Sequence, residues 1–345
     1  MGAVVALISM LVGLLSGLTA GLGRQNVSAI TDLPADRIAF AAPAGGQDVS
    51  YADSTVTQQQ WRRWAQVPGV SRAEPLGITV TRAAAGDVGA GVAVFGVLPG
   101  SALAPDGARI DGRSVVLSAS AADDLQVGAG DTVTVAGRGL TVAGVRGDAS
   151  YSHTPVIWVS LDTWRQAAPW SGAADVATAT VIALTTTGDV DVEAADAAAG
   201  TSTVTVDASL SAIGSYASEN SSLQLMRGFL FVIAALVIGA FFSVWTIQRG
   251  ADVAVLKALG ASTGNLLRDA LGQAVVLLAA GTLVGSAVAV ALGAAVAASA
   301  VPFLLAPATV LAPAAVIVVL GALGAALAIR RVTSVDPLTA LGSSR

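Results

Sequence analysis

The chain has 345 residues, 54% hydrophobic and only 12% charged, with a mean hydropathy of +0.72, too apolar for an ordinary water-soluble protein of this length. A formal charge of -5 and a single lysine, Lys257, leave no basic surface for phosphate recognition, so no nucleic-acid partner is expected. Cysteine is absent, which excludes a disulfide scaffold, a thiolate metal site and a cysteine nucleophile.

Gly2 to Leu22 carries no charge and holds about the twenty apolar positions that a helix needs to cross a bilayer. It reads as a retained anchor: a basic n-region is missing, the apolar stretch outruns a usual h-region, and no clear cleavage site follows. Gly13, Gly17 and Gly21 recur every four residues, giving one smooth face for close helix packing, and Gly281 and Gly285 repeat that spacing later in the chain.

From Arg24 to about Ala208 no apolar run is long enough to span, and nearly all the acids lie here. The period is mostly two, in Gly77–Arg82, Val92–Val97, Ser114–Leu117, Asp131–Val135, Leu140–Val145, Pro155–Val159 and Thr178–Leu184, with Gly and Asp turns between. Two helices are predicted among these strands, Thr55–Gln66 and Asp189–Ala199, so an α+β domain is expected. A polar, helix-compatible stretch from Leu210 to Arg227 then leads without proline into the apolar run Gly228–Ile247, as one stiff lever. Spans at Leu271 to about Ala298 and Val310 to about Ile329 follow, joined by an uncharged loop with Pro302 and Pro307.

The predicted fold is therefore a membrane protein with four transmembrane helices and an extracytoplasmic α+β domain inserted between helices 1 and 2. Its parts are residues 1–23, the first helix; 24–208, the outer domain; and 209–345, the remaining membrane part. The last divides into a stalk with helix 2 (209–248), a connecting segment (249–268), helices 3 (271–298) and 4 (310–329), and a tail (330–345). Arg249, Lys257 and Arg268 lie between helices 2 and 3, and Arg330 and Arg331 follow helix 4, which places that segment and both termini in the cytoplasm. A multi-pass location in a cell membrane follows.

Chemistry is sparse. No Walker A sequence is present, because Lys257 is followed by Ala258, and no ionisable residue sits in the middle of a span. The chain is expected to be no enzyme and to bind no metal or cofactor, so work must come from a partner. His153, the one histidine, reads as a surface-loop residue; Ser150, Ser152 and Asp148 beside it do not make a triad by adjacency. Asp189, Asp191 and Glu193 read as a solvated helix start, Trp61 and Trp64 as a helix face covering a sheet, and Trp245 as an interfacial anchor.

The stretch Thr246–Thr263 differs. As a helix it sets Val253, Leu256 and Gly260 on one side with Arg249, and Val255 and Leu259 one ridge away, while Asp252 and Lys257 reach solvent. Periodicity leaves a lipid surface and a groove on a cytoplasmic partner equally open.

The run Arg249–Ser262, followed by Leu266–Arg268 and a long apolar span, resembles the cytoplasmic segment of the FtsX/MacB-like ABC transporter permeases. The tail from Arg330-Arg331 through Asp336-Pro337 to Ala340-Leu341 is similar to that family's ending, and Val127–Val135, Thr141–Val145 and Pro155–Trp164 resemble its periplasmic core domain. The resemblance implies a permease that dimerises, sits in the membrane lipid of a bacterial plasma membrane and works with a separate ATP-binding subunit, which would carry ATP and Mg, and with a periplasmic or extracellular adaptor. It also implies a mechanotransmission complex in which Arg249, Asp252, Val253, Val255, Leu256, Lys257, Leu259 and Gly260 form the ATPase-coupling helix. Export or extraction of a substrate is the implied function; the alternative is a non-transporting regulator that activates an extracellular partner such as a cell-wall hydrolase. Asp252 stands where glutamate is common in the family. Members usually begin with a basic amphipathic helix, whereas this sequence starts inside the first span; a late or truncated start would account for the missing N-terminal charge.

Overall fold

The computed structural model describes residues 2–105, 110–167, 177–249, 255–256, 259–260, 262–297 and 301–333. They form two compact units, Met1–Leu22 with Ser221–Arg345 and Gly23–Asn220, each with its own core.

Helix α1 (Gly2–Thr31) has 30 residues, about 45 Å at 1.5 Å per residue against about 30 Å of hydrocarbon. The apolar run ends at Leu22 but the helix does not, because Val27, Ala29 and Ile30 in its last turns are buried in the core of the second unit. There follow β1 (Arg37–Ala41), β2 (Val56–Thr57), α2 (Gln58–Trp64), β3 (Val70–Ala85), β4 (Val88–Val97), β5 (Ser114–Leu117), α3 (Ala119–Leu125), β6 (Thr132–Val135), β7 (Arg138–Val145), β8 (Ser150–Tyr151), β9 (Thr154–Ser160) and α4 (Leu161–Ala167). The domain is completed by β10 (Ala177–Ala179), β11 (Val181–Thr186), α5 (Val192–Ala199), β12 (Thr201–Thr205) and α6 (Val206–Ser209).

The main sheet has the order β12-β1-β11-β3-β4-β9-β5-β7-β6, and β6 returns to β3 through Ala83↔Val135 and Ala84↔Thr134. Six strands thus close on themselves, which removes the free edges that an open sheet would expose. The 16-residue β3 makes this possible: its first half pairs with β11 and its second with β4. It is far longer than the predicted Gly77–Arg82, since Pro75 and Gly77 interrupt the strand signal without ending the strand. Gly77 and Gly96 are cross-strand partners, and the buried Trp164 of α4 lies over both; a Cβ at either position would sit 2.2 or 2.4 Å from its side chain.

Helix boundaries follow their caps. Thr57 and Gln60 form a reciprocal capping box, so α2 begins at Gln58 rather than Thr55. Asp191 accepts from the Ala194 amide and Gly200 closes the other end in the left-handed region, so α5 spans Val192–Ala199. The predicted strand Thr178–Leu184 is split at Thr180, whose hydroxyl accepts from the Ile78 amide at 2.8 Å and holds the chain as it passes from pairing with β2 to pairing with β3.

The stretch expected to be helical from Leu210 is broken as well. Leu210, Ala212 and Ile213 are buried in the same core as the end of α1, and the chain takes a 3-10 turn and an extended residue at Ile213 to place them. Helix α7 (Tyr216–Gln248) starts only after this, with 33 residues, about 50 Å of helix. Helices α8 (Thr263–Ala297) and α9 (Pro307–Thr333) complete the chain. All four long helices are apolar enough to cross a membrane. In the first unit Val5, Val12, Ile238, Phe242, Ala274, Leu278, Ile317 and Ala325 form the buried centre, while large side chains such as Leu236, Leu283 and Leu327 face outward, as lipid permits.

Candidate functional site

Between α7 and α8 the chain leaves apolar side chains uncovered. Val255 and Leu256 are helical and 60% and 46% exposed, and Leu259, whose amide donates to the Val255 carbonyl at 3.0 Å, is 80% exposed. Gly260 follows at φ +93, a backbone that ends a helical turn. Asp252, Val253 and Lys257 lie outside the described residues. Arg249 is held at the end of α7: its guanidinium stands 4.7 Å over the Trp245 ring and donates to Gln273, whose amide donates in turn to Asp269 at 2.9 Å. Trp245 therefore positions this arginine, a role the anchor reading did not include.

The five glycines expected to pack helices all meet neighbours within the first unit. A Cβ on Gly13 would lie 3.0 Å from that of Ala289, and Gly17 faces the Phe303 ring. Gly21 faces the Pro302 carbonyl, Gly281 the Val5 side chain, and Gly285 the Ala6 carbonyl, whose oxygen a Cβ on Gly285 would meet at 2.2 Å. Ser9 donates to Thr282 across the same contact at 3.4 Å. Small residues let α1 and α8 approach until backbone meets backbone, as small-residue motifs do in lipid.

His153 sits in a loop, yet it has company that sequence reasoning missed. The two-residue hairpin loop between β8 and β9 is Ser152-His153, both left-handed at φ 49 and 60. Their amides donate to the α1 carbonyls of Asn26 and Gln25, at 2.8 and 3.1 Å. His153 Nε2 lies 2.7 Å from Glu219 Oε2 on the first turn of α7, and the same oxygen accepts from Asn26 Nδ2 at 2.9 Å. Ser215 joins both sides, donating to Asn26 Oδ1 at 3.2 Å and lying 3.1 Å from Ser152 Oγ. Asn26 is 1% exposed, and each end of its amide is satisfied. The other residues considered for a triad are engaged elsewhere: Asp148 accepts from Ser120, and Ser150 pairs with Ser28. The one signal available in sequence was an asparagine in a helix leading out of an apolar run.

Elsewhere in the domain, Trp64 is buried with its indole donating to Thr201, and Trp61 donates to the Ala73 carbonyl, so both cover the sheet. Tyr51 and Tyr151 stack edge-on with Phe40 and Phe95, and burial pushes both phenols well above the usual range. Among the described residues no group of three His, Asp or Glu side chains is placed to hold a metal ion.

Two family models match. One, described as a MacB-like periplasmic core domain, matches residues 1–202, and one described as an FtsX-like permease C-terminal domain matches residues 225–337. A candidate hemin transport system permease protein, HrtB, of Staphylococcus haemolyticus is 28% identical over 222 residues, 64% of this chain and 60% of that one. The chain thus spans about three-fifths of that relative's length. An uncharacterized ABC transporter permease of Mycobacterium tuberculosis is 26% identical over 338 residues, 95% of this chain and 90% of that one. The solved periplasmic region of MacB from Actinobacillus actinomycetemcomitans aligns with 52% of this chain and 92% of its own, at 14% identity and a TM-score of 0.38.

Proposed function

Since this chain belongs to the family of ABC transporter permeases that join a MacB-like periplasmic core domain to an FtsX-like C-terminal domain, we propose that it couples ATP hydrolysis on a separate subunit to movement of its own α+β domain. It is a multi-pass plasma-membrane protein, and in this reading the α+β domain lies outside while the segment between α7 and α8 lies in the cytoplasm. The exposed trio Val255, Leu256 and Leu259, which follows Arg249 in the chain, carries the reading. A groove on the ATP-binding subunit that covered one leucine would gain about 1.5–3 kcal/mol. Closure of that subunit's dimer would then pull on α7, which is helical from Gln248 to Tyr216 at the edge of the α+β domain. No charge interrupts the middle of a span, so force rather than an ion pathway is what these helices can carry.

The cargo would be engaged outside the lipid. The relative named for hemin transport makes a planar, amphipathic molecule the first to try. The test is ATP hydrolysis by the purified complex of this chain and its ATP-binding subunit in lipid nanodiscs, with hemin added. Stimulation supports transport; stimulation by an extracellular protein partner alone supports the regulatory function instead.

A further inference from the structure

We infer that Asn26, Ser152, His153, Ser215 and Glu219 form the joint through which the start of α7 grips the α+β domain, and that they are positioning residues for force transfer. The inference rests on the permease reading above. All five lie within the unit Gly23–Asn220.

Geometry argues for more than a turn. A two-residue hairpin loop with both residues at positive φ is made at least cost by Asn-Gly or Gly-Gly, because other side chains crowd the backbone there. This chain instead uses serine and histidine, at φ 49 and 60. Strained non-glycine residues persist where the side chain does something that glycine cannot. Here Ser152 Oγ reaches Ser215 and His153 Nε2 reaches Glu219, so both loop side chains are spent on the start of α7. Meanwhile both loop amides are spent on α1, at Gln25 and Asn26. Asn26 then closes the ring from inside, bonding Glu219 and Ser215 at once. A buried amide with both ends satisfied fixes one geometry, because any shift of α7 leaves it unpaired.

The hairpin continues directly into β9, which pairs with β4, β5 and β8 in the closed part of the sheet. A pull on the first turn of α7 therefore passes through Glu219 and His153 into a strand that is paired with three others. The direct backbone path, along Ile213 and Gly214, is a tight turn in which the Tyr216 amide donates to the Ile213 carbonyl at 3.0 Å, with Gly214 in open space. The side-chain bonds of Ser215 and Glu219 to Asn26, Ser152 and His153 cross-link that turn to α1 and to the β8–β9 loop.

The chain holds no cysteine, so two introduced ones carry spin labels without background. Labels at Ser218→Cys on α7 and Asp124→Cys on α3, both within the unit Gly23–Asn220, are measured by pulsed EPR in the full-length chain, complexed with its ATP-binding subunit in nanodiscs, without nucleotide and with ATP plus vanadate. An intact joint yields one narrow distance, the same in both states. Glu219→Ala and His153→Ala should each give a broad distribution that differs between the states while ATP hydrolysis persists. Glu219→Gln, which keeps an acceptor for Asn26, should restore the narrow one. If Glu219→Ala is not recovered folded, His153→Ala, on a surface loop, decides alone. A narrow, nucleotide-independent distance in the alanine variants, with hydrolysis intact, overturns the joint and leaves the permease reading standing. Failure of the unsubstituted chain to bind an ATP-binding subunit overturns both.

Discussion

Gly285→Ala in α8 isolates how much the fold depends on helices touching through backbone. The added Cβ would sit 2.2 Å from the Ala6 oxygen, 2.9 Å from its carbonyl carbon and 2.8 Å from Ser9 Cβ. Ordinary carbon contacts lie near 3.5–4 Å, so α1 and α8 must separate by about 1 Å. Two of the three atoms are backbone and cannot rotate away, and the 3.4 Å bond from Ser9 to Thr282 would stretch past usefulness. Overpacking of this kind costs about 1–3 kcal/mol. Alanine also gains up to about 1 kcal/mol over glycine in a helix, which blurs the single measurement. Gly272→Ala, in the same helix but with nothing within 4 Å, shows that gain alone. Thermal unfolding of the two full-length variants in detergent micelles should therefore differ by the overpacking cost, at roughly 2–4 °C per kcal/mol. Equal midpoints would refute the close approach.

Within the α+β domain, Gly96→Ala should lose about 1–3 kcal/mol in a denaturant titration followed by tryptophan emission, because its Cβ meets Trp164 at 2.4 Å, whereas Gly112→Ala, in open space, should be neutral. Removing the Thr57 cap by Thr57→Ala should cost about 1 kcal/mol, read from the same titration. Alkali should destabilise the domain. Burial keeps Tyr51 and Tyr151 protonated in the folded state, while unfolded tyrosines ionise near about pH 10. Above that pH the unfolded chain binds fewer protons than the folded one, so stability is present below about pH 10 and falls as pH rises, by up to about 1.4 kcal/mol per pH unit for each tyrosine. Tyr151→Phe should reduce that slope, measured as urea midpoints against pH; an unchanged slope would contradict its burial.

The four long helices were legible because length and apolarity suffice to identify a span, and the expected order of helix, α+β domain and three helices matches the structure. Strands that alternate cleanly, such as Thr132–Val135, were legible for a similar local reason. What sequence reading missed depends on distant partners. The strand Thr201–Thr205 is held by Arg37–Ala41, far away in the chain, and the helix containing Trp164 is fixed by two glycines on neighbouring strands. The alanine-rich helix Ala119–Leu125 has too little amphipathic contrast to stand out. The expected lever is a single helix, but it begins at Tyr216 rather than Leu210, because three apolar residues before it are drawn into the domain core. Of the candidate site, the apolar spacing of Val255, Leu256 and Leu259 was visible in the sequence, whereas the Asn26–His153–Glu219 cluster joins residues up to 193 positions apart and left almost no local mark.

Coupling requires that the segment carrying Leu256 and Leu259 receive an ATP-binding subunit. Leu256→Asp combined with Leu259→Asp places two charges where burial of two leucines is required, and should abolish recovery of that subunit when the full-length chain is purified from membranes. The chain itself should remain in the membrane at its usual level, since both side chains are exposed and contribute little to its own packing. Loss of the subunit with retention of the chain is the predicted result; recovery of the subunit in undiminished amount would contradict the coupling role.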